Sequence, residues 1–164
     1  MDEGRYGRIS QLKACWAPPG VRPTVPRQVV RESLYAFAAV APATGELAYR
    51  LEPRCNIDAM SRFLLQLLEQ WPDRPLIVFL DGAGWHKSKR LPVAERVRLI
   101  HLPPYSPECN PAEHIWDDTR EKGFANRLFT TLEAVEVQLK TELNRLADDP
   151  DYLRRLTHFQ WMRS

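Results

Sequence analysis

Two short apolar runs constrain the fold most: PLIVFL at 75–80 and VRLIHL at 97–102. PLIVFL is continuously apolar, too short for a helix and suited to a strand buried on both faces, and VRLIHL is the next strand. Such strands occur inside sheets that carry helices on both sides, and parallel neighbours are joined by crossovers rather than hairpins. An α/β architecture follows.

The segments around these runs extend the pattern. The stretch RYGRISQLKACW alternates as a strand and gives way to the loop APPGVRPTVP. LYAFAAVAPATGELAYRL, residues 34–51, is two β-rich runs around a proline- and glycine-containing loop, which predicts an antiparallel hairpin. In CNIDAMSRFLLQLLEQW, Asn56 is an N-cap, and Ile57, Met60, Phe63, Leu64, Leu67, Leu68 and Trp71 share one helical face. A short helix is expected over Ser88–Glu95, a further one over PAEHIWDDTREKG closed by Gly123, and a long one over residues 130–149. For the last, Thr130 and Glu133 form a capping box, and Leu132, Val135, Leu139, Leu143 and Leu146 its buried stripe. The expected architecture is a mixed sheet, an antiparallel meander with parallel strands added, flanked by helices.

Composition adds limits. The 164 residues suffice for one domain with a real core. No apolar run approaches the ~20 residues of a membrane span, and MDEGRYGRIS has no signal-peptide pattern. Three scattered cysteines, Cys15, Cys55 and Cys109, argue against a disulfide framework and for a reducing, cytoplasmic setting. The net charge of +2 neither demands nor excludes a nucleic-acid partner.

In open α/β sheets, sites form beyond the carboxyl ends of the inner strands. PLIVFL is followed by DGAGWHKS, which places Asp81 at such an end. The plain reading is that Asp81 caps the following turn. A phosphate-binding P-loop is ruled out, because the glycine required before the lysine is His86 here. After VRLIHL come Pro103, Pro104, Pro107 and Pro111, then Glu113. Asn110, Pro111 and Glu113 fit an N-cap, N1 and N3, so an ordinary capped helix accounts for the carboxylate. The preceding prolines nevertheless fix φ at four positions and set where the helix begins, as a metal ligand requires. Cys109, His86 and His114 lack regular zinc spacing. The cations Lys87, Lys89 and Arg90, with Arg22, Arg27 and Arg31 in the proline-rich loop, are either phosphate contacts or solvated surface. Trp16 and Trp85 either pack or stack on bases.

FLDGAGWHKS followed by LIHLPPYSPECNPAEHIW resembles the catalytic core of the DDE transposases of the mariner-like superfamily, specifically the bacterial insertion-sequence branch. DEGRYGR, CWAPPGVRP and YAFAAVAPATGEL resemble it in the same order, so the likeness spans residues 2 to about 125. The resemblance implies a ribonuclease H-like fold and metal-dependent cleavage and joining of DNA at transposon ends. It implies two magnesium ions, replaceable by manganese, held by Asp2, Asp81 and Glu113; Glu3 is the competitor for the first position. It also implies double-stranded DNA as partner, contacted by His86, Lys87, Lys89 and Arg90, and a homodimer acting in a bacterial cytoplasm. For His86, orienting the Asp81 loop and a purely structural place in a turn are the other readings.

The sequence departs from the family pattern in three places. Gly82 stands where many relatives have Asn, and Cys109 where Leu is usual. In the family, an apolar run and helix-turn-helix domains precede the first aspartate, whereas here only Met1 does. The chain is therefore expected to be a single catalytic domain, residues 1–164, with a truncated first strand and without the helix-turn-helix region. That region would come from an upstream segment or a separate reading frame. Two functions follow: a transposase catalytic core, or a non-catalytic remnant that folds and binds DNA or itself. A structure-selective nuclease of the same fold is a third.

Overall fold

The computed structural model describes residues 1–88, 90–104 and 106–159. Strands β1 (Asp2–Ile9), β2 (Val29–Ala41) and β3 (Glu46–Glu52) form an antiparallel sheet in that order. Strands β4 (Leu76–Leu80) and β5 (Val97–His101) pair in parallel, with Leu76 opposite Val97 and Leu80 opposite His101. The expected mixed sheet is thus present as two ladders. They meet where the Met1 ammonium donates to the Phe79 carbonyl, 2.7 Å away.

Alternation along β2 builds two cores. Phe37 turns to the face of α1 (Ile57–Gln70) and is buried with Met60, Phe63, Leu67, Val78 and Leu80. Ala36 and Ala38 turn to the opposite face, where α3 (Leu132–Ala147) supplies Val135, Leu139, Leu143 and Leu146. Each such leucine contributes about 1.5–3 kcal/mol by leaving water. Tyr6 and Trp116 fill the α3-side core and meet edge to face at 6.1 Å.

The periodic elements follow the sequence. Helix α1 starts at Asn56, whose Oδ1 accepts from Ala59 N at 2.9 Å. The predicted hairpin is β2–β3. Elsewhere there are corrections. The first strand is Asp2–Ile9 rather than residues 5–16, because from Ser10 onward the chain leaves the ladder for an exposed loop. Among the described residues of Ser88–Glu95, which leave out Lys89, there is no helix. A 3-10 turn at Gly84–Lys87 precedes an irregular stretch, where Pro92 has no N–H to give and restricts Leu91 before it. Thr131, not Thr130, caps α3, accepting from Ala134 N at 3.1 Å.

Gly123 does not end its helix. Helix α2 (Ala112–Thr119) runs into a π-turn at Arg120–Phe124, where Gly123 makes room for the Glu142 side chain. A fourth helix, α4 (Pro150–Thr157), capped by Asp149 and anchored by Leu153, has no counterpart in the sequence reading. Strand β4 is not buried on both faces: Ile77 and Phe79 are 61% and 48% exposed.

Candidate active site

Asp2 opens β1 and Asp81 follows β4 directly. Because the Met1 amine reaches the Phe79 carbonyl, the first residues of β1 lie beside the end of β4. Glu113 arrives from a third direction, in the first turn of α2. The helix start is set by Asn110, whose Oδ1 accepts from Ala112 N at 3.2 Å and whose carbonyl accepts from Glu113 N at 3.2 Å. The helix begins at Ala112 with Pro111 as its cap position, one residue later than the expected Asn110 cap, and Asn110 instead braces the turn that leads into it; Glu113 is half-buried.

Successive residues of a strand face opposite ways, and this separates Asp2 from its neighbour. Asp2 is buried and its Oδ2 accepts a hydrogen bond from Trp116 Nε1 at 3.0 Å. Burial, followed by the charges of Glu113 and Glu3, pushes the Asp2 carboxyl up to about 6 against the lowering effect of its hydrogen bonds. Glu3 instead lies 2.8 Å from Nε2 of the buried His86. Glu3, the competitor for the first ligand position, thus pairs with the same histidine as Asp81 does.

His86 ties Glu3 to Asp81. Its Nδ1 lies 2.8 Å from Asp81 Oδ1 and 3.2 Å from the Asp81 carbonyl. Burial acts to lower the imidazole pKa, but the Glu3 hydrogen bond and the charges of Glu3 and Asp81 outweigh it and raise it. When protonated, the ring can donate to Glu3 from Nε2 and to Asp81 from Nδ1. Trp85 Nε1 also lies 3.1 Å from Nε2, and its ring packs edge-on against His86. The Ala83 N–H donates to Asp81 Oδ1 at 2.9 Å, so the turn-capping role foreseen for Asp81 is real, and the carboxylate stays exposed.

The result is an electronegative centre. Burial pushes the Cys55 thiol up to about 12, reinforced by the charges of Glu3, Asp2 and Asp81. The same three carboxylates act on the buried Met1 ammonium, whose pKa burial lowers. Among the described residues no three His, Cys, Asp or Glu side chains close into a metal-holding group. Asp2 and Glu113 are electrostatically coupled, and Asp81 reaches Glu3 through His86. Asp2, whose carboxyl burial and then the Glu113 charge push up to about 6, Asp81 and Glu113 offer carboxylate oxygens, the donor type that suits a hard divalent cation.

The basic candidates are placed less completely. Lys89 lies outside the described residues, Lys87 closes the 3-10 turn, and Arg90 is exposed, 4.0 Å from Asp58. Arg22, Arg27 and Arg31 are exposed, and so is Trp16. Sequence reasoning missed Trp116 and the pairing of Glu3 with His86. The spacing of Trp116 three residues after Glu113, E-x-x-W, was the available signal, since it puts both on one side of α2.

Comparison with known proteins gives the family and the fold. The family described as DDE superfamily endonuclease matches residues 1–136. An uncharacterized protein of Sinorhizobium fredii (strain NBRC 101917 / NGR234), y4pE/y4sA, is 32% identical over 128 residues, covering 77% of this chain and 95% of that protein. The Mos1 strand transfer complex superposes with a TM-score of 0.67 at 18% identity, covering 96% of this chain and 49% of that one. The mariner Mos1 paired end complex with Mg gives 0.60 at 19% identity, covering 96% and 50%. The shared fold is ribonuclease H-like, and the chain spans about half the length of the Mos1 chains it matches.

Proposed function

The chain belongs to the DDE superfamily endonucleases, and from that premise we propose that it is the catalytic core of a DNA transposase. Its reaction is metal-dependent cleavage of phosphodiesters at transposon ends, followed by strand transfer into target DNA. The observation that carries the reading is the buried Asp2 carboxyl, coupled to Glu113 and bonded by Trp116 one turn further along the same helix.

Asp2, Asp81 and Glu113 would hold two divalent ions, magnesium or manganese. When bound, such ions supply activation of the attacking oxygen and charge stabilisation at the leaving oxygen of an in-line displacement. The chain's own residues do the rest. Asn110 fixes the start of α2 and so the height of Glu113, Trp116 aims Asp2, and His86 holds the Asp81 loop against β1. Because His86 is buried between two carboxylates, its part in this reading is to position Asp81 rather than to touch phosphate. Lys87, Lys89 and Arg90, which follow it, are the candidate contacts to double-stranded DNA.

Solved Mos1 structures include a strand transfer complex, a paired-end complex with the left transposon end, and paired end complexes with Mn and with Mg. They support DNA as the partner here and a divalent ion as the cofactor. A homodimer, an upstream helix-turn-helix segment and a bacterial cytoplasmic setting belong to the same reading. Among the described residues no helix is long and apolar enough to cross a membrane.

A second reading, a remnant that folds and binds DNA without cutting it, is favoured by the carboxylates not closing into one metal-holding group. The deciding experiment incubates the protein, with the genomically encoded upstream segment restored, with supercoiled DNA carrying the gene and its flanks. Nicking that needs Mg2+ or Mn2+ and is lost in Asp81→Ala and Glu113→Ala supports the transposase. No metal-dependent nicking supports the remnant.

A further inference from the structure

We propose that Tyr6 and Thr119 are positioning residues for the carboxylate site: a buried chain of hydrogen bonds through them holds Trp116 against Asp2 and fixes the angle of the helix that carries Glu113. The inference rests on the reading of Asp2 and Glu113 as metal ligands and extends it to two residues that lie behind them.

The connection starts and ends on one face of β1. Asp2, Gly4 and Tyr6 alternate along the strand and so share the face that meets α2. The Thr119 hydroxyl donates to the Trp116 carbonyl at 3.1 Å, which commits its hydrogen. The Tyr6 hydroxyl therefore donates to Thr119 Oγ1. Trp116 in turn donates from Nε1 to Asp2 Oδ2 at 3.0 Å. All four residues are buried, so these bonds are made in a low-dielectric interior, where each is stronger than it would be in water.

Packing alone does not call for the two hydroxyls. Phe and Val would fill nearly the same space without burying a polar group. The Tyr6 ring is already held by Phe124, with centroids 4.9 Å apart, and by the Arg120 guanidinium 5.4 Å from its centroid. What a hydrogen bond adds is direction. Helix α2 has eight residues, of which Thr119 is the last, and beyond it the chain widens into the π-turn. The bond from Trp116 to Asp2 holds this short helix at one point, about which it could swivel. The bond from Tyr6 to Thr119 supplies a second point, three residues further on. Two points fix the angle between α2 and β1, and with it the place of Glu113 relative to Asp2, as a shared ion requires.

The test compares the chain 1–164 with Tyr6→Phe, with Thr119→Ser, and with a double variant combining Tyr6→Phe and Thr119→Val. Exchange of the Trp116 indole N–H is read by NMR in the ion-free protein, Mn2+ binding by electron paramagnetic resonance, and stability by the urea midpoint. Removing both hydroxyls strands no polar group, since the Trp116 carbonyl keeps the Arg120 N–H as donor. The double variant should therefore keep a midpoint close to that of the unsubstituted chain. Its indole N–H should nevertheless exchange about tenfold or more faster, and it should bind Mn2+ about tenfold more weakly. Tyr6→Phe should move both readings the same way by less, and it decides the matter should the double variant fail to fold. Thr119→Ser, which keeps the hydroxyl, should leave both near the unsubstituted values. Unchanged indole exchange in the double variant overturns the proposal. So does faster exchange with unaltered Mn2+ binding, which would leave the bonds a purely structural role. If the unsubstituted chain binds no Mn2+, the metal-holding reading fails on its own, and the indole exchange still decides whether these hydroxyls hold Trp116 to Asp2.

Discussion

Trp116 Nε1 donates to Asp2 Oδ2 across 3.0 Å, joining two residues 114 positions apart. The bond ties the helix that carries Glu113 to the strand that carries Asp2. A Cβ on Gly4 would stand 2.9 Å from the Trp116 ring, so β1 also needs a glycine two residues after Asp2 for the indole to reach it. Trp116→Phe keeps most of the packing and removes the donor. It should cost about 1–3 kcal/mol in denaturant unfolding at pH 7 and weaken the stabilisation of the protein by added Mn2+, read as a smaller rise in melting temperature.

Asp2 makes the ion-free protein pH-dependent. Its folded pKa is raised from 3.8 to about 6. The stability it lends as a neutral acid is therefore complete below about pH 4 and is lost as pH rises through 6. Above that, the ionised form is a burden of about 3 kcal/mol. Asp2→Asn should stabilise the ion-free protein at pH 7.5, with the gain shrinking toward zero near pH 4. Urea unfolding of both proteins across this range checks it; a gain that does not vary with pH contradicts it.

The Glu3–His86–Asp81 bridge is a coupled unit. Glu3→Gln and His86→Ala should each destabilise the fold. Together they should cost less than the sum, with a coupling energy of about 1–3 kcal/mol in a double-mutant cycle. The coupling should fade above the raised His86 pKa, where the imidazole is neutral.

Gly45 turns the β2–β3 hairpin at φ +74°, and an added Cβ would lie 2.1 Å from the Pro150 carbonyl oxygen at the start of α4. Gly45→Ala should therefore destabilise by more than ~1 kcal/mol, whereas Gly20→Ala, at φ +82° but in open space, carries only the backbone strain. Comparing the two unfolding midpoints separates the contact from the strain.

What could be read in the chain was what local chemistry decides. Helices α1 and α3 announce themselves by period and by Asn56 and a threonine cap, off by one residue in the second case. Asp81 and Glu113 stand out because each follows an apolar strand at a fixed distance. What could not be read was the choice of distant partners. That Glu3 takes His86, 83 residues away, and Asp2 takes Trp116 depends on packing that no local pattern records. Strand β4 shows the limit most sharply: its apolar run signals a strand buried on both faces, yet Ile77 and Phe79 are exposed, because which face is covered is decided by tertiary packing.

The central claim is that Asp2, Asp81 and Glu113 hold divalent ions together. A Mn2+ titration followed by electron paramagnetic resonance tests it most directly, on the chain 1–164 and on Asp2→Asn, Asp81→Asn and Glu113→Gln. The account predicts about two bound ions in the unsubstituted protein, with binding weakened at least about tenfold by each substitution. Equal Mn2+ binding by all four proteins would contradict it.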